Sequence, residues 1–412
     1  MTHTNRRSYL RVAAASVLAL GAGCAASSST GQDVQTEQGW TEFRGDRYNT
    51  GYAPGETDVE QPSVRWTFEA GGGFWGSPVV ADSTVYTGCA DNYLYAVDAA
   101  TGEQEWRFEA DHRIEGTPQY ADGTVFVGSY DRHIYALDAA TGEVQWEVET
   151  DGLIRGSPTV ADGTVYIGVG CHNLACEWYA DGTSDTGWLY ALDAATGEVD
   201  WHRELGTEVV STPAVGERNL FVGSSDGYLY ALDRSSGEQR WRYRTREWIW
   251  ASPTLAFGTV YVADWDAEVH AVDAATGEQE WSYSSFGSYI SGSTAVDEEA
   301  VYFGHTPANA PPDPTRSNAE VFAVERTTGD ELWTYTTDAL EIGSSPVVTD
   351  EAVYIGSHSQ VDEPGTGVYA LSKNGSPRWF FEVTRRGVGT SPALVDGTLY
   401  FGAADKRLYA LE

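Results

Sequence analysis

Four side chains able to hold a ligand stand at matching places in a repeat. Trp75, Glu115, Arg155 and Trp250 come just before the triplets Gly76-Ser77-Pro78, Gly116-Thr117-Pro118, Gly156-Ser157-Pro158 and Ala251-Ser252-Pro253. The equivalent places elsewhere hold Val210, Ser291, Gly343 and Gly389. Two indoles, one acid and one guanidinium on a common rim would give aromatic walls and a charged pair. That combination suits recognition of a polar or aromatic group. Trp248, Tyr289, His112 and Arg113 lie close by in sequence and would extend such a site. Nucleophilic or acid–base chemistry has no comparable support, since no Ser-His-Asp, paired-carboxylate or phosphate-loop signature occurs.

The cysteines offer a second, smaller piece of chemistry. Cys171 and Cys176 lie in the insertion GCHNLACEWYADGTSDTG, from Gly170 to Gly187. Outside the cytoplasm such a pair forms a disulfide closing a small loop, a stabilisation of roughly 2 kcal/mol. Cys171-His172 with Cys176 also makes a zinc half-site, but no fourth ligand is evident. Cys89 replaces a small residue at a strand end and reads as a buried free thiol. Isolated aspartates carry no metal assignment in so acidic a chain.

The elements that must position these residues show in a phrase ending in tryptophan. AVDAATGEQEW closes at Trp106, ALDAATGEVQW at Trp146, ALDAATGEVDW at Trp201, ALDRSSGEQRW at Trp241 and AVDAATGEQEW at Trp281. AVERTTGDELW closes at Trp333 with Glu for Asp, and the shorter ALSKNGSPRW closes at Trp379. Trp66 stands without a phrase, while Ala410-Leu411-Glu412 begins one at the other end. A period near 40 residues built of short strands means an all-β, eight-bladed β-propeller. The split copy predicts that residues 64–69 pair beside residues 408–412 and close the ring.

One blade can be read directly. Ser157 to Ala161 is a short strand, Asp162-Gly163 a two-residue turn, and Thr164 to Gly168 a second strand. Trp188 to Asp193 is the third strand and Glu198 to Arg203 the fourth. Strands two and three are apolar on both faces, as stacked blades require. The fourth alternates apolar and charged residues, as an outer edge should. Insertions at 170–187, 307–318 and 359–365 all fall between strands two and three, on the face that surrounds the central funnel. Loops elaborated on one rim serve binding or are neutral growth.

Charge bounds the partners. Sixty-one acids face 25 bases, of which only Lys373 and Lys406 are lysines, for a formal net charge of −36. Such a surface excludes nucleic-acid binding through a basic patch. It marks a high-salt habitat, where counterions screen self-repulsion. The first 23 residues read as an address. Asn5-Arg6-Arg7-Ser8-Tyr9-Leu10 resembles a twin-arginine export signal, and Val12 to Leu20 is too short for a good membrane span. Leu20-Gly21-Ala22-Gly23-Cys24 resembles a lipobox, with Leu one place further from Cys24 than usual. Cleavage there removes Arg6, Arg7 and Arg11 and no acid, so −36 becomes −39. Lipidated at Cys24, the protein would sit on the extracytoplasmic face of the plasma membrane; with a plain signal it would be secreted. Residues 24–39 read as a flexible tether and residues 40–412 as the propeller.

The phrase A-x-D-x-x-x-G-x-x-x-W resembles the tryptophan-docking motif of quinoprotein propellers. The chain is similar, over residues 64–412, to the pyrrolo-quinoline quinone (PQQ)-like repeat family, which includes BamB-like assembly lipoproteins and quinoprotein dehydrogenases. The segment from Trp40 to Tyr52 is similar to the entry segment of such chains. The resemblance implies that Trp66, Trp106, Trp146, Trp201, Trp241, Trp281, Trp333 and Trp379 pack between the Ala and the Gly peptide of a docking phrase. It also implies two functions. One is a BamB-like, non-catalytic scaffold, monomeric and lipid-anchored, with a protein or peptide partner at the cell surface. The other is a PQQ- and calcium-dependent dehydrogenase of alcohols or sugars. Those enzymes are longer, and many carry an adjacent cysteine pair, which is missing here. No cofactor ligand carries over residue by residue, so no cofactor is expected. A halophilic archaeal source would lack the outer membrane that BamB function in its strict sense requires.

Overall fold

The computed structural model describes residues 39–170, 186–307, 318–359 and 364–412. The signal, most of the tether, Cys24, the Cys171–Cys176 pair and most of the three insertions lie outside the described residues. The chain forms eight antiparallel sheets arranged as blades of a propeller. In the third blade, Thr159–Ala161, Thr164–Val169, Trp188–Asp193 and Val199–Glu204 follow one another from the axis outward. The Asp-Gly hairpins take the left-handed backbone that a two-residue turn requires, with φ of 50° at Asp162 and 78° at Gly163. The second and third strands are buried almost throughout and the outer strand is mostly exposed, because blades stack on each other through their middle strands.

The tryptophan phrase is the mechanical joint between blades. The outer strand is bulged just ahead of each tryptophan, as where Ala191 pairs with Trp201 but Leu192 with Val199. Each indole is thereby aimed at the next blade. Trp281 Nε1 donates to the Arg326 carbonyl at 2.9 Å, and its ring lies against Gly329, whose φ is 74°. A Cβ on that glycine would come within 2.7 Å of the ring. The phrase aspartate builds the turn that receives the indole. Asp98 Oδ1 accepts from the Thr101 hydroxyl and the amides of Thr101 and Ala100, bonds that hold it below the usual carboxylate range. Glu325 does the same work through Thr327 and Thr328.

Closure uses the N-terminal chain twice. Val64–Glu69 pairs with Arg407–Leu411, with Trp66 opposite Ala410, and completes the eighth blade. Trp66 then docks on Ala99 of the first blade at 2.9 Å. Trp379 docks differently from the other indoles, on the N-terminal chain instead of a phrase. The Val59 carbonyl accepts from Trp379 Nε1 at 2.6 Å.

Residues 39–53 are a plug across the ring. Gly39 and Trp40 pair with Ala81 and Val80 as a fifth strand inside the first blade. The segment then accepts or donates backbone hydrogen bonds at Tyr120, Val215, Leu255, Val296 and Val348, on the innermost strands of five further blades. Asn49 Nδ2 donates to the carbonyls of Thr212 and Pro253. Arg44, 2 % exposed, is folded back onto the carbonyls of Asn49 and Thr50, and burial pulls its pKa down to about 9.

Candidate functional site

The inner strands leave an axial cavity of about 170 Å³, with Phe43 of the plug among its walls. Trp75, Glu115, Val210, Trp250, Ser291, Gly343 and Gly389 line it, so seven of the eight rim positions read from the sequence converge there. Arg155 does not line it. Its guanidinium lies over the Trp250 ring at 5.2 Å and pairs with Glu208 at 3.2 Å.

Two residues further along the chain, just ahead of each inner strand, a second ring faces the cavity. Its eight members are serines and threonines, from Ser77 to Ser391. The Ser77 amide donates to the Thr117 hydroxyl at 3.0 Å, and Thr117 to Ser157 at 2.9 Å. Thr212 donates to Ser252, Ser252 to Ser293, Ser293 to Ser345 and Ser345 to Ser391. Ser391 donates back to Ser77 at 2.9 Å, so the chain of bonds crosses the point of ring closure. The Gly-Ser-Pro triplet therefore has a structural purpose: its hydroxyl receives the amide of the preceding blade. The triplet glycine lets neighbouring backbones approach, since a Cβ on Gly116 would lie 2.6 Å from the Gly156 carbonyl.

The charged groups of the mouth are not paired as the sequence suggests. Glu115 is held by Arg113 at 3.1 Å and by the Tyr130 hydroxyl at 2.6 Å, and Arg155 by Glu208. Burial opposes the Arg155 charge, but Tyr130, Glu208 and Glu115 around it outweigh that and raise its pKa. Arg113 and Glu208 stand two residues before rim positions, as do Trp248, Tyr289 and Glu341. An extended chain repeats its facing every second residue, so these form an outer collar. Glu208 and Glu341 were missed in the sequence, and that period of two was the signal.

The collar is aromatic on one side. Trp265 packs against Trp250 at 4.5 Å, Tyr289 at 5.0 Å and Trp248 at 5.7 Å. Trp250 Nε1 is fixed by the Ser225 hydroxyl at 3.0 Å, while Trp75 is 40 % exposed. On the other side His358 lies 3.4 Å from Glu341, and burial lowers its pKa to about 4, which keeps it neutral. Cys89 is a buried free thiol whose pKa is pushed up to about 12 by burial.

The model for the outer membrane protein assembly factor BamB family matches residues 55–177 and 185–412. The chain belongs to this PQQ-like repeat family. No curated protein matches it. Among solved structures the fold is similar to quinohemoprotein alcohol dehydrogenase from Comamonas testosteroni, at 16 % identity and a TM-score of 0.75, covering 91 % of this chain and 80 % of that one. A europium-containing methanol dehydrogenase gives 15 %, 0.70, 91 % and 98 %. BamB from Moraxella catarrhalis gives 18 %, 0.64, 85 % and 98 %. At these identities the likeness establishes the fold, and function has to be argued from the site.

The dehydrogenase neighbours make calcium and PQQ the groups to test against this site. Calcium takes about six to eight oxygen ligands, several of them carboxylates. Glu115 is the one carboxylate among the described lining residues, and Arg113 and Tyr130 already occupy it. The carboxylates of Asp58, Glu60 and Glu351 do cluster, but Arg378 bridges the first two and none lines the cavity. The cavity lining does not fit a calcium-held quinone.

Proposed function

We propose that this protein is a non-catalytic binding or scaffold propeller, monomeric and extracytoplasmic, whose recognition site is the mouth of the axial cavity. The observation that carries this reading is the self-neutralised mouth. Glu115 and Arg155 each have a close partner of opposite charge, whereas the Trp75 face is left open. Groups so engaged hold shape and are poor proton carriers. Cys24 is proposed as the lipid anchor, and a protein or peptide at the cell surface as the partner. No helix among the described residues is long and apolar enough to cross a membrane.

The dehydrogenase reading is kept in view by the fold likeness at a TM-score of 0.75. One assay separates the two. Pure protein given PQQ, calcium and an artificial electron acceptor is expected to leave alcohols and sugars unoxidised. Dye reduction that needs added PQQ and disappears in Glu115→Gln would promote the enzyme.

A high-salt habitat is part of the same proposal. A formal charge of −36 on one ring repels itself, and molar salt shortens the screening length to about 3 Å. Circular dichroism in dilute buffer should show lost β-structure that returns in molar potassium chloride. A stable fold at low ionic strength would remove the halophile assignment.

A further inference from the structure

The ring of hydroxyls around the axis has bonding capacity that the protein leaves unused. All eight are at most 6 % exposed, and all eight line the cavity. A hydroxyl carries one proton and two lone pairs. The amide of the neighbouring blade occupies one lone pair at seven of the eight, as at Ser77, Ser293 and Ser391. Among the described residues none of these hydroxyls donates a hydrogen bond to the protein. Each of these seven therefore offers the cavity one donor and one acceptor. The amide bond also polarises the O–H and strengthens it as a donor.

That pattern selects a ligand class. A carboxylate or phosphate brings acceptors only and would set its charge beside Glu115. An ammonium or metal ion would leave the ring of O–H protons unmatched. Ligand hydroxyls both donate and accept, and match the ring group for group. The walls agree, because Trp75, 40 % exposed, gives a flat apolar surface against which the C–H face of a sugar ring packs, while Trp250, covered by Arg155 and Trp265, backs the wall. The charges nearest the indoles cancel in pairs, Arg113 with Glu115 and Arg155 with Glu208, so they do not call for a charged ligand. The plug lies across the inner strands beyond the hydroxyl ring, so a ligand enters through the mouth, end-on. An open cavity of about 170 Å³ suits a single ring with its hydroxyls.

We infer that the axial cavity binds the terminal ring of a neutral saccharide, held as a ligand by the hydroxyl ring and the exposed indole of Trp75. The inference rests on the non-catalytic reading of the same site and names its ligand.

The test uses the full-length protein in molar potassium chloride, titrated calorimetrically with methyl glucoside, methyl galactoside, methyl mannoside, glucuronate, inorganic phosphate and a short basic peptide. At least one neutral pyranoside should bind saturably, and at least tenfold tighter than glucuronate or phosphate. Trp75→Ala should weaken it roughly tenfold, about 1.4 kcal/mol, with an unchanged melting curve, and Trp75→Phe should recover most of the loss. No pyranoside binding, binding indifferent to Trp75→Ala, or displacement by the peptide but not by sugar would each overturn the inference. The two readings fail separately. PQQ-dependent oxidation of a bound sugar would sink the non-catalytic function and leave the saccharide site standing. Absence of both sugar binding and dye reduction would remove the saccharide and leave the binding propeller.

Discussion

A chain lacking residues 40–69 is expected to lose its cooperative unfolding transition altogether. That stretch does three jobs. It supplies the outer strand of the eighth blade through Val64–Glu69, the docking carbonyl for Trp379 through Val59, and the plug that bonds to the inner strands of six blades. Removing it exposes the edge of Arg407–Leu411, orphans a large indole and frees inner-strand amides at once. Domain stability is about 5–15 kcal/mol in all, and these losses are of that size together. Calorimetry and circular dichroism in molar salt would show a broad, non-cooperative melt. An unchanged melting transition would mean that the ring does not depend on this clasp.

The second large effect is at a single docking tryptophan. Trp281→Ala should cost about 3–5 kcal/mol, the range for removing a buried aromatic side chain. Trp281 is 7 % exposed, touches Gly329 and donates to Arg326 across the blade boundary, so the substitution opens a gap between two sheets. Trp75→Ala is the control. That side chain is 40 % exposed, belongs to no docking phrase and should change stability by no more than about 0.5 kcal/mol. Denaturant titration of both variants checks the contrast, and equal losses would show that the phrase is not the joint.

These expectations also mark how far the sequence could be read. Blade number, strand order and the closing strand around Trp66 were legible because they rest on local chemistry: an aspartate that builds a turn, a glycine with positive φ, and a tryptophan at fixed spacing. The plug was visible only as an entry segment. Its contacts are mainly backbone hydrogen bonds to Tyr120, Val215, Leu255, Val296 and Val348, and backbone atoms leave little mark on residue identity. The substitute dock at Val59 was illegible for the same reason, since only its carbonyl is used. Seven rim positions could be placed because a repeat puts like positions on one circle. The pairing of Glu115 with Arg113, and of Arg155 with Glu208, could not, because it depends on how neighbouring blades are offset. The triplet serines stood in plain view, but their bonding role exists only once the circle is closed.

The plug has a consequence for the order of events during folding. In seven of the blades the four main strands follow one another in sequence, so these blades can form as the chain lengthens. The segment that unites them is made first, yet its bonds reach Val348, and the adjoining strand waits for Arg407–Leu411. The clasp and the plug can therefore lock only after Arg407–Leu411 has been made. Contacts of such sequence separation make the closing step slow. By the same geometry, opening the ring requires an inner strand and an outer strand to leave together. The finished molecule should then owe its endurance to a high unfolding barrier as much as to its equilibrium stability.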